Sequence, residues 1–148
     1  MNLSSEYINF IQEELRQLDI PESPDNLYSP IGYFLSLKGK KIRPILTLLS
    51  AELFGETIEN SKHAALAIEI FHNFTLIHDD IMDEAPLRRG QQTVHEKWNT
   101  NIAILSGDVL MIKAYEQLAL CPPDVLPDLI TLFNKTAVEV CEGQQMDM

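Results

Sequence analysis

Asp79, Asp80 and Asp83 stand at the end of a long apolar run, and Arg88 and Arg89 follow a few residues later. Carboxylates at that density suit a hard cation, and a cation beside arginines suits a diphosphate. An apolar helix leading into the site would match a ligand with an apolar tail. On a helix Asp79 and Asp83 are one turn apart, with Cβ atoms about 6 Å apart, so their carboxylates can share metal ions. Advancing about 100° per residue, Ile68, His72, Thr75 and Asp83 fall within about 40° of Asp79. Asp80 lies about 100° off that stripe and is expected behind the metal ligands or in solvent. The alternative is a solvated acidic helix end. That arrangement opposes the helix dipole, and Glu84 adds to the repulsion, which a metal would offset.

Two basic groups are placed to receive anions. Arginine binds phosphate through a forked set of donors, and neighbours in a loop point different ways, so Arg88 and Arg89 can serve two phosphates. The alternative is surface pairing with nearby acids. The second group is Lys38-Gly39-Lys40-Lys41-Ile42-Arg43-Pro44, at the start of a helix, where backbone N–H groups add to basic side chains. It is not a P-loop, which needs Gly-x-x-x-x-Gly-Lys-Ser/Thr. His72 is either a satisfied core histidine or a ligand on the Asp79 stripe. No His pair has metal-binding spacing.

The elements that position these residues read as helical almost throughout. Tyr7, Phe10, Ile11, Leu15 and Leu18 recur at helical spacing, with Ser4 or Ser5 as N-cap and Pro21 and Pro24 beyond the end. A short helix over about 24–37 is interrupted near Ser29-Pro30 in one reading. Pro44 suits the first turn of the next helix, which Gly55 terminates. The longest helix spans about 60–84, apolar on most sides and so central, with Pro86 as its breaker. A polar loop runs from Arg88 to Glu96. Further helices cover about 101–120 and from Pro123 or Asp124 onward. Gly143 is either a C-cap or a residue inside a helix that continues through Gln144 to Met148. No strand and no repeat is expected, and the fold class is an all-α helical bundle.

The 148 residues are 45% hydrophobic and carry a net charge of -11, from 22 acidic and 11 basic residues. That length supports one domain with a core. The acidic balance excludes general nucleic-acid binding, which needs a basic surface. It leaves room for a small anion held by focused cations. No run reaches the length of a membrane span, and no secretory leader precedes the first helix. The cytoplasm is the expected location, with Cys121 and Cys141 as buried reduced thiols.

In order along the chain, Gly39-Lys40-Lys41-Ile42-Arg43-Pro44, Asp79-Asp80-Ile81-Met82-Asp83, Leu87-Arg88-Arg89-Gly90, Gly107-Asp108 and Gly143-Gln144-Gln145-Met146-Asp147 resemble the motif set of the trans-isoprenyl diphosphate synthases, or polyprenyl synthetases. The usual glycine before the first motif is Lys38 here. The resemblance covers about Tyr33 to Met148. It implies an isoprenoid synthase-type bundle, a homodimer, and condensation of isopentenyl diphosphate with an allylic diphosphate. By the same resemblance Asp79 and Asp83 hold Mg²⁺, with Mn²⁺ as a substitute, and Arg88 supports the allylic diphosphate. Lys40, Arg43, His72 and Arg89 would hold isopentenyl diphosphate, with Gln144 and Asp147 near the allylic site. Phe71 and Phe74, upstream of the first aspartate, would limit the product to C15–C20. The family's second aspartate-rich motif does not occur in these residues. The chain is therefore expected to be the truncated N-terminal part of one polyprenyl synthetase domain, inactive alone. A terpene cyclase would leave Lys40 and Arg43 without a purpose, and a non-catalytic subunit would not need the aspartates and arginines.

Overall fold

The computed structural model describes residues 3–148, and its elements are helices apart from one hairpin. They are α1 (Leu3–Arg16), α2 (Asp25–Ser36), α3 (Ile42–Leu53), α4 (Ile58–Met82), β1 (Leu87–Arg88), β2 (Gln91–Gln92), α5 (Val94–Lys97), α6 (Thr100–Ala119) and α7 (Leu126–Asp147). The chain is an all-α bundle. No helix among the described residues is long and apolar enough to cross a membrane.

Helix α4 is the axis. Leu66, Ile70 and Ile77 on it are almost fully buried, against Ile11 of α1, Ile31 and Phe34 of α2, Leu48 of α3 and Leu110 of α6. Burying each such side chain contributes about 1.5–3 kcal/mol. Thr57 caps the start, its hydroxyl accepting from the Asn60 N–H at 3.2 Å. The end is a Schellman-type turn. Ala85 N–H donates to the Asp80 carbonyl at 2.9 Å and Glu84 N–H to Ile81 at 3.2 Å, with Glu84 left-handed at φ 50. The helix therefore stops at Met82, short of the expected Glu84, and Asp83 is its cap.

Three other expectations change. Pro30 does not interrupt α2: it is buried in the middle of the helix, which runs through it at the loss of one backbone bond. Ser4 and Ser5 lie inside the first turn of α1, since the helix already starts at Leu3. The segment after Pro86 holds a two-stranded antiparallel ladder, Leu87 opposite Gln92 and Arg88 opposite Gln91. Its turn residues Arg89 and Gly90 have φ 53 and 77, the left-handed pair that makes a tight hairpin. An Arg-Gly dipeptide between polar residues gave no alternating pattern to signal it.

Helices α4 and α6 approach closely at Gly107. A Cβ there would sit 2.4 Å from the His78 Nε2, so only glycine admits the imidazole. Helix α7 runs through Gly143 to Asp147 and buries only Phe133 and Ala137 well.

Candidate functional site: two clefts along the central helix

The loop between α2 and α3, the hairpin and the middle of α4 enclose a cleft of about 560 Å³. Lys40, Arg43, His72 and Arg89 all line it, although they come from three separate parts of the chain. Arg43 Nη1 donates to His72 Nε2 at 3.2 Å, which makes Nε2 the acceptor and leaves the proton on Nδ1. Burial, and then the Arg43 charge, lower the His72 pKa to about 4, so the imidazole is neutral at pH 7. Arg89 Nη1 donates to the Leu37 carbonyl at 3.4 Å. Its guanidinium rests on Gly39, where a Cβ would be 2.6 Å from Nη1.

Sequence reading passed over Lys41 and Glu69, which underlie this cleft. Lys41 Nζ meets Glu69 Oε1 at 2.9 Å, with side chains only 3% and 5% exposed. The signal was a lone glutamate inside the apolar run Ile68-Glu69-Ile70, since a buried carboxylate needs a partner.

A smaller cleft of about 210 Å³ opens at the C-terminal end of α4 against α7. Phe74, Thr75, His78 and Asp79 line it from α4, and Cys141 and Gln144 from α7. The stripe expected through His72, Thr75 and Asp79 is thus shared between two clefts. Burial, and then the Asp83 charge, raise the Asp79 pKa. Asp83 is exposed at the helix cap. Among the described residues no three His, Cys, Asp or Glu side chains form a metal cluster.

Asp80 is not in solvent. It is 2% exposed, and Arg88 donates to it through Nε at 2.9 Å and Nη2 at 2.8 Å. The two arginines diverge, Arg88 toward the end of α4 and Arg89 into the larger cleft. Gln144 reaches the Met82 sulfur at 3.7 Å, whereas Asp147 is exposed and not among the residues lining the smaller cleft. Phe71 lies behind Phe74 in the core, with ring centroids 5.7 Å from Phe74 and 5.1 Å from Phe133. Cys121 is buried, but Cys141 is exposed, which corrects the expectation of two buried thiols. Cys141 continues the Phe133–Ala137 face of α7 at the point where that face leaves the core and borders the open cleft.

The family model described as polyprenyl synthetase matches residues 24–148. The geranylgeranyl pyrophosphate synthase of Geoglobus acetivorans is 44% identical over 140 residues, 93% of this chain and 44% of that protein. The short chain isoprenyl diphosphate synthase of Methanocaldococcus jannaschii is 42% identical over 139 residues, again 93% of this chain and 42% of the relative. The crystal structure of geranylgeranyl pyrophosphate synthetase from Pyrococcus horikoshii matches with a TM-score of 0.89 and 38% identity, over 97% of this chain and 44% of that one. The chain spans less than half the length of the curated relatives it matches. With its motifs on two clefts along one central helix, the chain belongs to the polyprenyl synthetase family.

Proposed function

We propose that this chain supplies the substrate-ionising and isopentenyl-binding walls of a trans-prenyltransferase. The enzyme would join isopentenyl diphosphate to an allylic diphosphate and give a C15–C20 prenyl diphosphate. One observation carries the reading. Four groups suited to a diphosphate converge in one cleft, while Asp79 and Phe74 face a second cleft along the same helix.

In the larger cleft Lys40, Arg43 and Arg89 neutralise the diphosphate of isopentenyl diphosphate. Neutral His72, with Nδ1–H, adds a hydrogen bond without a further charge. At the other cleft Asp79 lines the space, and Asp83, one turn on at the exposed helix cap, would offer a second hard oxygen donor. The two carboxylates would hold Mg²⁺, or Mn²⁺ in its place. The bound metal would supply Lewis-acid stabilisation of the leaving diphosphate. Asp80 holds Arg88, which clamps the same diphosphate.

The allylic C–O bond breaks and its electron pair leaves with pyrophosphate. The double bond of isopentenyl diphosphate then forms the new C–C bond to the allylic carbon. A proton is lost from the resulting cation, taken up by the released pyrophosphate, and a new double bond remains. Phe74 and Phe71 behind it bound the space for the growing chain. An apolar wall also keeps water from the cation. Gln144 borders the allylic cleft, and Asp147, one turn beyond it on α7, would face the same diphosphate.

The working protein in this proposal is a cytoplasmic homodimer, to be checked by light scattering and cell fractionation. The direct test is a chimera joining residues 1–148 to the portion of the Geoglobus acetivorans relative beyond the match. Labelled isopentenyl diphosphate, an allylic primer and Mg²⁺ are expected to give a labelled prenyl diphosphate. No product from a folded chimera would defeat the proposal.

A further inference from the structure

The loop that carries Lys40 is held in an unfavourable shape. Lys41 is left-handed, with φ 53 and ψ 31, and has no side-chain cap bond as the residue before α3. A β-carbon disfavours that conformation, so something outside the loop must hold it. The contact is the buried ion pair with Glu69. Glu69 is itself fixed, because Asn73 Nδ2 donates to its carbonyl at 2.6 Å and to Oε1 at 3.2 Å. Glu69 and Asn73 belong to the same stretch of α4 as His72. The pair therefore ties the loop to α4 beside His72, and Lys40 and Arg43 flank the tie.

A buried ion pair is a poor way to add stability, since desolvating two charges offsets most of their attraction. It is a good way to fix a register, because neither charge tolerates another place. It also takes Lys41 out of the set of cations that a ligand can reach.

We propose that Lys41 and Glu69 are positioning residues. Their buried pair locks the 38–41 loop onto α4 so that Lys40, Arg43, His72 and Arg89 converge on one diphosphate, while Lys41 touches no ligand. This rests on reading that cleft as the isopentenyl diphosphate site. The smaller cleft, farther along α4, does not depend on the lock.

The test is calorimetric titration of the 148-residue chain with isopentenyl diphosphate in EDTA, where the metal-free aspartates repel diphosphate. The double variant K41M/E69Q removes the pair without leaving a buried charge alone. It is expected to melt close to the parent and to bind about tenfold more weakly, the scale of a displaced loop short of a full 1 Å error. Binding of an allylic diphosphate with Mg²⁺ is expected to stay at the parent value. Parent-like affinity for isopentenyl diphosphate in the double variant overturns the lock. So does an equal loss for both ligands, which signals general loss of fold. If the double variant does not fold, E69D decides, because it keeps both charges and shortens the tie by one methylene. Weakened isopentenyl diphosphate binding supports the lock, and unchanged binding overturns it. A folded parent chain that binds no isopentenyl diphosphate counts against the proposed function instead.

Discussion

The two clefts differ in how much of each is built from this chain. The larger one draws on three separate segments, and two of its cations are already in contact with partners. Arg43 rests on His72, Arg89 on Leu37 and Gly39, and the loop is tied to Glu69. The smaller cleft is built from two helices only. Asp79 is partly buried, Asp83 stands exposed at the helix cap, and Cys141, Gln144 and Met148 lie opposite. Binding one diphosphate needs only fixed cations. Ionising another needs a metal, a charge clamp and exclusion of water, and an open cleft between two helices does not exclude water. The 148-residue chain is therefore expected to bind isopentenyl diphosphate and to show no condensation with any primer. Product formed by this chain with Mg²⁺ would erase the contrast between the clefts.

Within the chimera, the largest graded effect is expected from D79N. Losing one metal-holding carboxylate is expected to lower kcat about 10²–10³-fold, in line with losing a principal electrostatic stabiliser of the transition state. Metal-free binding of isopentenyl diphosphate is expected to hold or to tighten slightly, since a negative charge has gone. Equal loss in both measurements would mean that the clefts are not separable.

Much of the fold was legible, because periodic apolar residues and prolines mark α1, α3, α4, α6 and α7. The stripe geometry also put Asp79 and Asp83 together, since that depends only on helical spacing. The partners of side chains were less legible. Asp80 was placed off the stripe, but whether solvent or Arg88 met it depends on the hairpin, and the hairpin depends on left-handed Arg89. Lys41 looked like one more cation in a basic run. Among the described residues, the non-glycine left-handed ones are Lys41 and Arg89, which line the larger cleft, and Glu84, which ends α4. Strain of this kind collects at functional sites and has no compositional signature.

Gly107 sharpens the comparison by acting on one cleft alone. His78 lines the smaller cleft and packs on Gly107, so the methyl of G107A must displace the His78 imidazole or push the α4 end and α6 apart. A stability loss of about 1–3 kcal/mol is expected, as for other overpacked sites. Denaturant unfolding of the 148-residue chain measures it. The affinity of the larger cleft for isopentenyl diphosphate is expected to survive.

F74A in the chimera probes the apolar side of the smaller cleft. Removing the ring opens space directly beside Asp79, and products are expected to shift beyond C20, read by chromatography of the dephosphorylated alcohols. An unchanged product spectrum would mean that neither Phe74 nor Phe71 behind it limits the chain.

The smallest effect belongs to the larger cleft and to His72. Its pKa is about 4 in the folded chain against an ordinary 6.5, so the unfolded chain takes up a proton first as the pH falls. The stability tied to a neutral His72 is present above pH 6.5 and drains away between about 6.5 and 4. Carboxylates titrate over part of the same range, so the parent curve alone does not isolate the histidine. H72Q does, because glutamine keeps an acceptor for Arg43 and removes the titration. The melting temperature of H72Q is expected to fall less than that of the parent across this window. A bound diphosphate brings negative charge to the imidazole and favours its protonated form. Saturating isopentenyl diphosphate in EDTA should therefore shrink the difference between parent and variant. If the difference persists unchanged, the diphosphate does not sit beside His72, and the larger cleft loses its place in the mechanism.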